Sequence, residues 1–251
     1  MDRINIIPKP NKIELLGGEI AVEALGVSTS VDPKLGSEEY ILTADESGVT
    51  VVGGSECAVF YGRQTLAQLK GVCPCVRITD KPACEYRGFM LDCVRHMFTV
   101  DEIKRLVDAA AALKMNRFHW HLTDDQGFRI WIDRRPTLTI EGSVRRASEF
   151  GSLKEEGEYS GYYTASQMKE IVDYCAERYI TVIPEFDIPG HCSALLHVYP
   201  SIGCDGAPVE GKTHQGIFED ILCAGKDETF ETVFDILEEI LEIFPSEYIH
   251  I

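Results

Sequence analysis

The chain has 251 residues, with 41 Asp or Glu against 24 Lys or Arg and a formal charge of −17. A field of that sign repels phosphate backbones and excludes nucleic acid as the expected partner. The 45% hydrophobic content is that of a globular chain, and no apolar run reaches the ~20 residues of a membrane span.

The opening, MDRINIIPKPNK, lacks the basic and then apolar pattern of a secretory leader, so the chain is expected in the cytoplasm. Its nine cysteines, an odd number at scattered spacings, then read as reduced thiols. Cys73-Pro74-Cys75 has no second pair at zinc-ligand spacing and reads as loop or core.

Residues 1–80 read as a small α+β domain. Short β-rich runs at 4–8, 12–16, 40–43 and 49–52 are divided by Gly17-Gly18, Gly48 and Gly53-Gly54. Ser55 opens a helix with Val59, Gly62, Leu66 and Leu69 on one stripe, ended by Gly71. A strand at 75–79 leads into Asp80-Lys81-Pro82, a linker.

The rhythm changes across residues 81–251. The apolar run 88–91 ends in Asp92, and Thr99-x-x-Glu102 is a capping box for a helix facing inward with Ile103, Leu106, Val107, Ala110 and Leu113. Residues 117–122 form the second strand. A second box, Thr164-x-x-Gln167, opens a helix with Met168, Ile171, Val172, Cys175 and Tyr179 aligned, and 181–183 is the third strand. Asp227 caps a third helix, striped by Phe230, Val233, Phe234, Leu237, Ile240 and Leu241, before a fourth strand at 248–251.

Strands alternating with amphipathic helices imply parallel pairing. Doubly wound sheets and (β/α)-barrels both fit, but no G-x-G-x-x-G follows the first strand. The long insertions, 123–163 and 184–226, each follow a strand and precede a helix, which is the habit of a TIM-type barrel with its site at the strands' C-terminal ends. The expected fold is therefore α/β: a small N-terminal α+β domain, then a truncated (β/α)8 TIM-type barrel with strands 1 to 4 only.

Polar residues past each strand would face one mouth: Asp92, then Thr123-Asp124-Asp125, then Glu185, Asp187 and His191. Carboxylates with a few imidazoles suit sugar hydroxyls, and suit acid/base work if burial separates their pKa values. Each also has a plainer reading. Arg87 can be a surface ion pair, Asp92 a turn cap, Asp124-Asp125 a turn before Gln126-Gly127, and His191 a loop residue. His119 and His121 share one strand face. Such a pair binds zinc in metal-dependent hydrolases or fills a barrel layer, and its place inside the strand favours the layer.

Together, YRGFMLDCVRHMF, KMNRFHWHLTDDQGFRI and VIPEFDIPGH resemble glycoside hydrolase family 20, the β-N-acetylhexosaminidases. GGSECAVFYGRQTLAQL is similar to that family's small N-terminal domain, so the resemblance spans essentially the whole chain. It implies that Arg87 binds hydroxyls of the terminal sugar, that Asp125 and His191 form a charged support, and that Asp124 or Asp125 faces the sugar. Phe128 stands where the family usually has Trp. The implied chemistry is substrate-assisted retaining hydrolysis of terminal β-linked N-acetylglucosamine or N-acetylgalactosamine, without metal or organic cofactor.

In the family the fourth strand continues into Gly-Gly-Asp-Glu, whose Glu is the general acid and whose Asp orients the acetamido group. This chain ends at Ile251, before them, so it is expected to be a fragment and inactive alone. The partners implied are an amino-sugar oligosaccharide or glycoconjugate, no membrane, and the missing C-terminal half of the barrel. The alternatives are a non-catalytic carbohydrate-binding protein and a metal-dependent barrel hydrolase using His119 and His121.

Overall fold

Strand β1 (Lys12–Ala21) passes straight through Gly17-Gly18, where an end was expected. Both glycines have positive φ, 81° and 84°, and the pairing register slips between Leu15 and Glu19. The glycines make a bulge that only residues without a Cβ enter easily, and the strand continues beyond it. Residues 4–22 and 25–251 are described in this computed structural model; the first three residues of the opening MDRINIIPKPNK lie outside them. Residues 4–8 form no strand.

The chain divides into two compact units. The first is Met1–Arg87 with Arg105–Asn116 and Glu177–Ile180; the second is Gly88–Lys104, Arg117–Ala176 and Thr181–Ile251.

In the first unit β2 (Val27–Val31), β3 (Tyr40–Asp45), β4 (Gly48–Gly53) and β5 (Val72–Asp80) join β1 in a sheet of order β1-β5-β3-β4-β2. β2 was not anticipated. Its VSTSV is exposed along its whole length on the sheet edge, so burial imposes no alternation on it. Helix α1 (Glu56–Leu66) is capped by the Ser55 side chain, which accepts from the Ala58 N–H, and lies on β3 and β4. Gly62 belongs to its inner stripe because a Cβ there would come within 2.4 Å of Val51. Cys73 and Cys75 are buried on β5, and none of the nine cysteines, all among the described residues, forms a disulfide.

The second unit is built on a parallel sheet of order β12-β7-β6, formed by β6 (Gly88–Asp92), β7 (Arg117–His121) and β12 (Thr181–Glu185). Between β6 and β7 runs α2 (Val100–Ala112), whose residues divide between the units. Its capping box forms as read: the Thr99 and Glu102 side chains each accept from the other's N–H. The same exchange joins Thr164 and Gln167 ahead of α4 (Ala165–Ala176).

The segment between β7 and α4 holds a tight hairpin, β8 (Thr123–Asp124) and β9 (Gly127–Phe128), then α3 (Pro136–Gly142) and a longer hairpin, β10 (Arg145–Phe150) and β11 (Leu153–Tyr159). After β12 come α5 (Ser193–Val198), a 3-10 turn at Pro200–Ile202 and α6 (Asp227–Ile243). Asp227 is the first helical residue of α6 and not its cap, which is Lys226. The stripe on α6 is also rotated from the expected one. Thr229, Thr232, Ile236, Ile240 and Ile243 are buried, while Phe230, Phe234 and Leu241 are exposed.

The expected fourth strand is present as a single parallel bridge between His250 and Glu185. The His250 N–H donates to the Pro184 carbonyl, and the His250 carbonyl accepts from Phe186. The pleat of β7 sends Phe118 and Trp120 into the core, where Phe118 stacks on Phe89 at 4.9 Å, and leaves His119 and His121 on the other face. Among the described residues no helix is long and apolar enough to cross a membrane.

Candidate active site

The parallel register decides what gathers at the strand ends. Asp92 pairs with His121, His121 with Glu185, and Glu185 with His250. Four neighbouring backbone segments thus set acid, imidazole, acid, imidazole in one row. Adjacent side chains on one sheet face lie within reach of each other, so the row bonds laterally.

Glu185 is its centre. Its Oε2 accepts from His119 Nε2 at 2.5 Å and from His121 Nδ1 at 2.6 Å, and His250 Nδ1 stands 3.3 Å from Oε1. Burial alone would raise the Glu185 pKa. The hydrogen bonds and charge of His119 and His121 outweigh it and hold the carboxyl well below the usual range. Burial likewise disfavours the His121 cation, but its bonds to Asp124 and Glu185 prevail and push it up to about 9. In that protonated ring Nε2–H belongs to Asp124 Oδ2 at 3.0 Å. Arg95 Nη1, 3.1 Å from the same nitrogen, then donates to Asp92 Oδ2 at 3.0 Å instead.

Beyond β7 the chain turns back at once through β8 and β9. Gly127 permits this because the Arg129 guanidinium lies against its α-carbon; a Cβ would meet Nη2 at 2.4 Å. The turn buries both Asp124 and Asp125. Asp124 receives the Arg95 guanidinium at 2.6 Å and the Asp125 N–H at 2.6 Å. Burial would raise its pKa, but His121 and Arg95 hold it low. Asp125 Oδ1 accepts from the Ser193 N–H and hydroxyl, at 3.1 and 2.6 Å, at the start of α5. Its Oδ2 accepts from His191 Nδ1 at 3.1 Å. His191, at φ 48°, holds a left-handed backbone that returns its ring to both aspartates. Against the effect of burial, Asp124, Asp125 and Asp187 raise its pKa.

Exposure separates the groups a ligand can touch from those that hold them. The His191 side chain is 43% exposed, Asp92 31% and Arg95 23%, against 3% for Asp124 and 2% for Asp125. Asp187 is half-buried, and its pKa is raised by burial, partly offset by His191.

Arg87 is the one expected site residue that the structure does not gather here. It precedes β6, at the opposite end of that strand from Asp92. Its guanidinium donates to Glu38 at 2.6 Å, Tyr61 at 2.9 Å, and the carbonyls of Lys114 and Cys84 at 2.7 and 2.6 Å, all within the first unit. The arginine in the cluster is Arg95, which sequence reasoning passed over. Its signal was the spacing Asp92-x-x-Arg95 past a strand end, which brings the two side chains together across one turn.

Three sets could in principle hold a metal: His119 with Glu185 and His250, His121 with Glu185 and Asp187, and Asp124 with Asp187 and His191. In the first two, Glu185 and its histidines are 2.5–2.6 Å apart at their closest. Ligand atoms about a zinc at ~2.0–2.2 Å in a tetrahedron stand more than ~3 Å from one another. His119 and His121 are hydrogen-bonding partners of Glu185 in this structure.

The C-terminal ends of this parallel β/α sheet thus gather carboxylates, imidazoles and one arginine. Residues 84–251 match the family described as glycosyl hydrolase family 20, catalytic domain, and residues 23–81 match domain 2 of the same family. The chain belongs to glycosyl hydrolase family 20, and its structural neighbours imply a TIM-barrel catalytic domain.

It is 42% identical over 243 residues to a beta-hexosaminidase of Porphyromonas gingivalis, covering 90% of this chain and 30% of that protein. It is 37% identical to one from Akkermansia muciniphila, covering 98% and 51%. The solved structure of a beta-N-acetylhexosaminidase superposes with a TM-score of 0.89 at 36% identity, over 96% of this chain and 52% of that one. A mutant Streptomyces plicatus beta-hexosaminidase in complex with its product GlcNAc gives 0.87 at 32% identity, over 98% and 58%. The chain thus spans about half the length of most of these proteins, and less of the first.

Proposed function

We propose that the natural protein carrying this chain is a β-N-acetylhexosaminidase, acting on terminal β-linked N-acetylglucosamine or N-acetylgalactosamine. In this reading residues 1–80 are its small α+β domain and 81–251 supply strands one to four of its (β/α)8 barrel. The names of the relatives support the activity. The observation that carries the reading is the cluster itself: Asp92, His121 and Glu185 at one level of three parallel strands, with Arg95, Asp124 and His191 hydrogen-bonded around them.

Asp92, Arg95, Asp187 and His191 are the groups a sugar reaches. The Arg95 guanidinium donates to ring hydroxyls, taking the role the resemblance gave to Arg87. Asp124 and Asp125 are the support behind it, with Asp125 tying His191 to α5.

The chemistry is intramolecular attack. The 2-acetamido oxygen bonds to the anomeric carbon as the bond to the leaving oxygen breaks. A carboxylic acid protonates that oxygen, and the carboxylate then takes a proton from the water that opens the oxazolinium ion. A nucleophile within the substrate avoids the entropy of recruiting one. No metal or organic cofactor is called for. The proton donor and the carboxylate that orients the acetamide belong, in this reading, to the part of the relatives' length that residues 1–251 do not span. Residues 1–251 alone should then not turn substrate over.

The test is hydrolysis of an aryl 2-acetamido-2-deoxy-β-glucoside by the natural protein, beside the matching aryl β-glucoside. Cleavage of the first alone, with retention, is expected. Equal cleavage of both, turnover by residues 1–251 alone, or loss of activity on removal of a stoichiometrically bound zinc would each overturn the reading.

A further inference from the structure

The inserted hairpin β10–β11 has a task that its exposed, charged sequence conceals. Arg145 begins it and is 2% exposed. Its Nη2 donates to the Arg95 carbonyl at 2.7 Å, its Nη1 to the Val94 carbonyl at 3.1 Å, and its Nε to Ser148 Oγ at 2.9 Å. Its guanidinium stacks 3.9 Å from the ring centroid of Tyr159, the residue paired with it across the hairpin. The Tyr159 hydroxyl in turn accepts from the Met97 N–H at 2.6 Å. A second buried guanidinium, that of Arg129, donates to the same Val94 carbonyl at 2.8 Å. From the other side, Asp92 Oδ1 accepts from the N–H groups of Val94 and Arg95, at 2.9 and 3.0 Å. The Arg95 backbone is therefore held through both its N–H and its carbonyl.

We propose that Arg145 is a positioning residue. By bonding the carbonyls of Val94 and Arg95 it fixes the backbone from which the Arg95 guanidinium reaches both Asp92 and the sugar. Two buried cations side by side are expensive, and desolvation together with Arg145 lowers Arg129 to about 10. Such a cost is set against orientation: a side chain that must meet a ligand in one geometry gains from a backbone that cannot shift. The inference rests on the reading of Arg95 as a sugar contact.

The experiment uses the natural protein containing residues 1–251, with kcat and KM measured on the aryl N-acetylglucosaminide. Arg145→Met should raise KM about tenfold, the equivalent of ~1.4 kcal/mol of binding, with kcat changed less than about twofold. Arg145→Lys, which restores one donor, should recover part of the loss. In an Arg95→Ala background Arg145→Met should add nothing to KM, because it acts through Arg95.

An unchanged KM in folded Arg145→Met, or effects of the two substitutions that multiply, would overturn the positioning role. An unchanged KM in Arg95→Ala would instead remove the sugar contact and, with it, the inference. If Arg145→Met does not fold, Ser148→Ala decides by the same reading. It removes one partner of Nε and should raise KM about threefold, again only when Arg95 is present. No change there would also overturn the role.

Discussion

One proton on His121 organises the strand-end row. Protonated, the ring donates to Glu185 and to Asp124 and keeps two buried carboxylates ionised; neutral, it can donate to only one. Its pKa is raised from 6.5 to about 9, so its contribution to stability is complete below 6.5 and is lost as pH rises through 9. Glu185 and Asp124 are shifted the other way. Theirs is present above the unfolded values of 4.5 and 3.8 and is lost as pH falls below them. The urea midpoint should therefore be highest between about pH 5 and 6.5 and fall on both sides. Growing negative charge also weakens the fold at high pH, so the variant His121→Gln is needed. It should be less stable near neutrality and have a shallower alkaline limb. An alkaline limb as steep as in the parent would assign the loss to charge repulsion and not to this imidazole.

At the scale of elements, a buried polar quartet binds the first unit. Lys114, 4% exposed, donates to Asp80 at the end of β5 and to the Tyr40 hydroxyl on β3, both at 2.9 Å. Tyr40 in turn shares a 2.6 Å hydrogen bond with Thr65 of α1. Removing one partner of a buried ion pair leaves the other charge in a poor solvent. Lys114→Met should cost ~3 kcal/mol, and adding Asp80→Leu should return part of it; urea unfolding of all three proteins measures both. A double variant weaker by the sum of the single losses would refute the coupling.

The quartet was invisible in the sequence because its members are up to 74 residues apart. What was legible was local. The capping boxes at Thr99 and Thr164 need only an i to i+3 exchange, and the parallel alternation follows from helices placed between apolar runs. What was missed depended on tertiary choice. β1 crosses two glycines because β5 pairs with it on both sides of the bulge. The apolar arc of α6 is wider than the face it buries, so packing and not pattern selected the buried stripe. Arg87 and Arg95 stand at opposite ends of one strand, and only the strand's direction in the sheet gave the site to Arg95.

At the scale of the whole chain, exposed apolar side chains are spread along the sequence, and one group of them lies on α6 and in the last residues. Phe230, Phe234 and Leu241 are exposed on α6, and Tyr248 and Ile251 are 70% and 66% exposed beside the bridge at His250. A segment paired through one bridge offers its remaining backbone donors and acceptors to any other strand. Against association stands the charge of −17, which repels a second copy. The two effects differ in range. Repulsion is screened within about 10 Å at 0.1 M salt, whereas apolar contact is not weakened by salt. Residues 1–251 prepared alone should therefore be largely monomeric in dilute buffer and associate as salt is raised, followed by light scattering at fixed protein concentration. Replacing Phe230 and Phe234 by Gln should suppress the association, since neither side chain is buried in the fold. A monomer at every salt concentration would mean that this surface is too small or too well protected by its acidic neighbours to act as an interface. Association that salt weakens would mean that ion pairs, not apolar surface, join the copies.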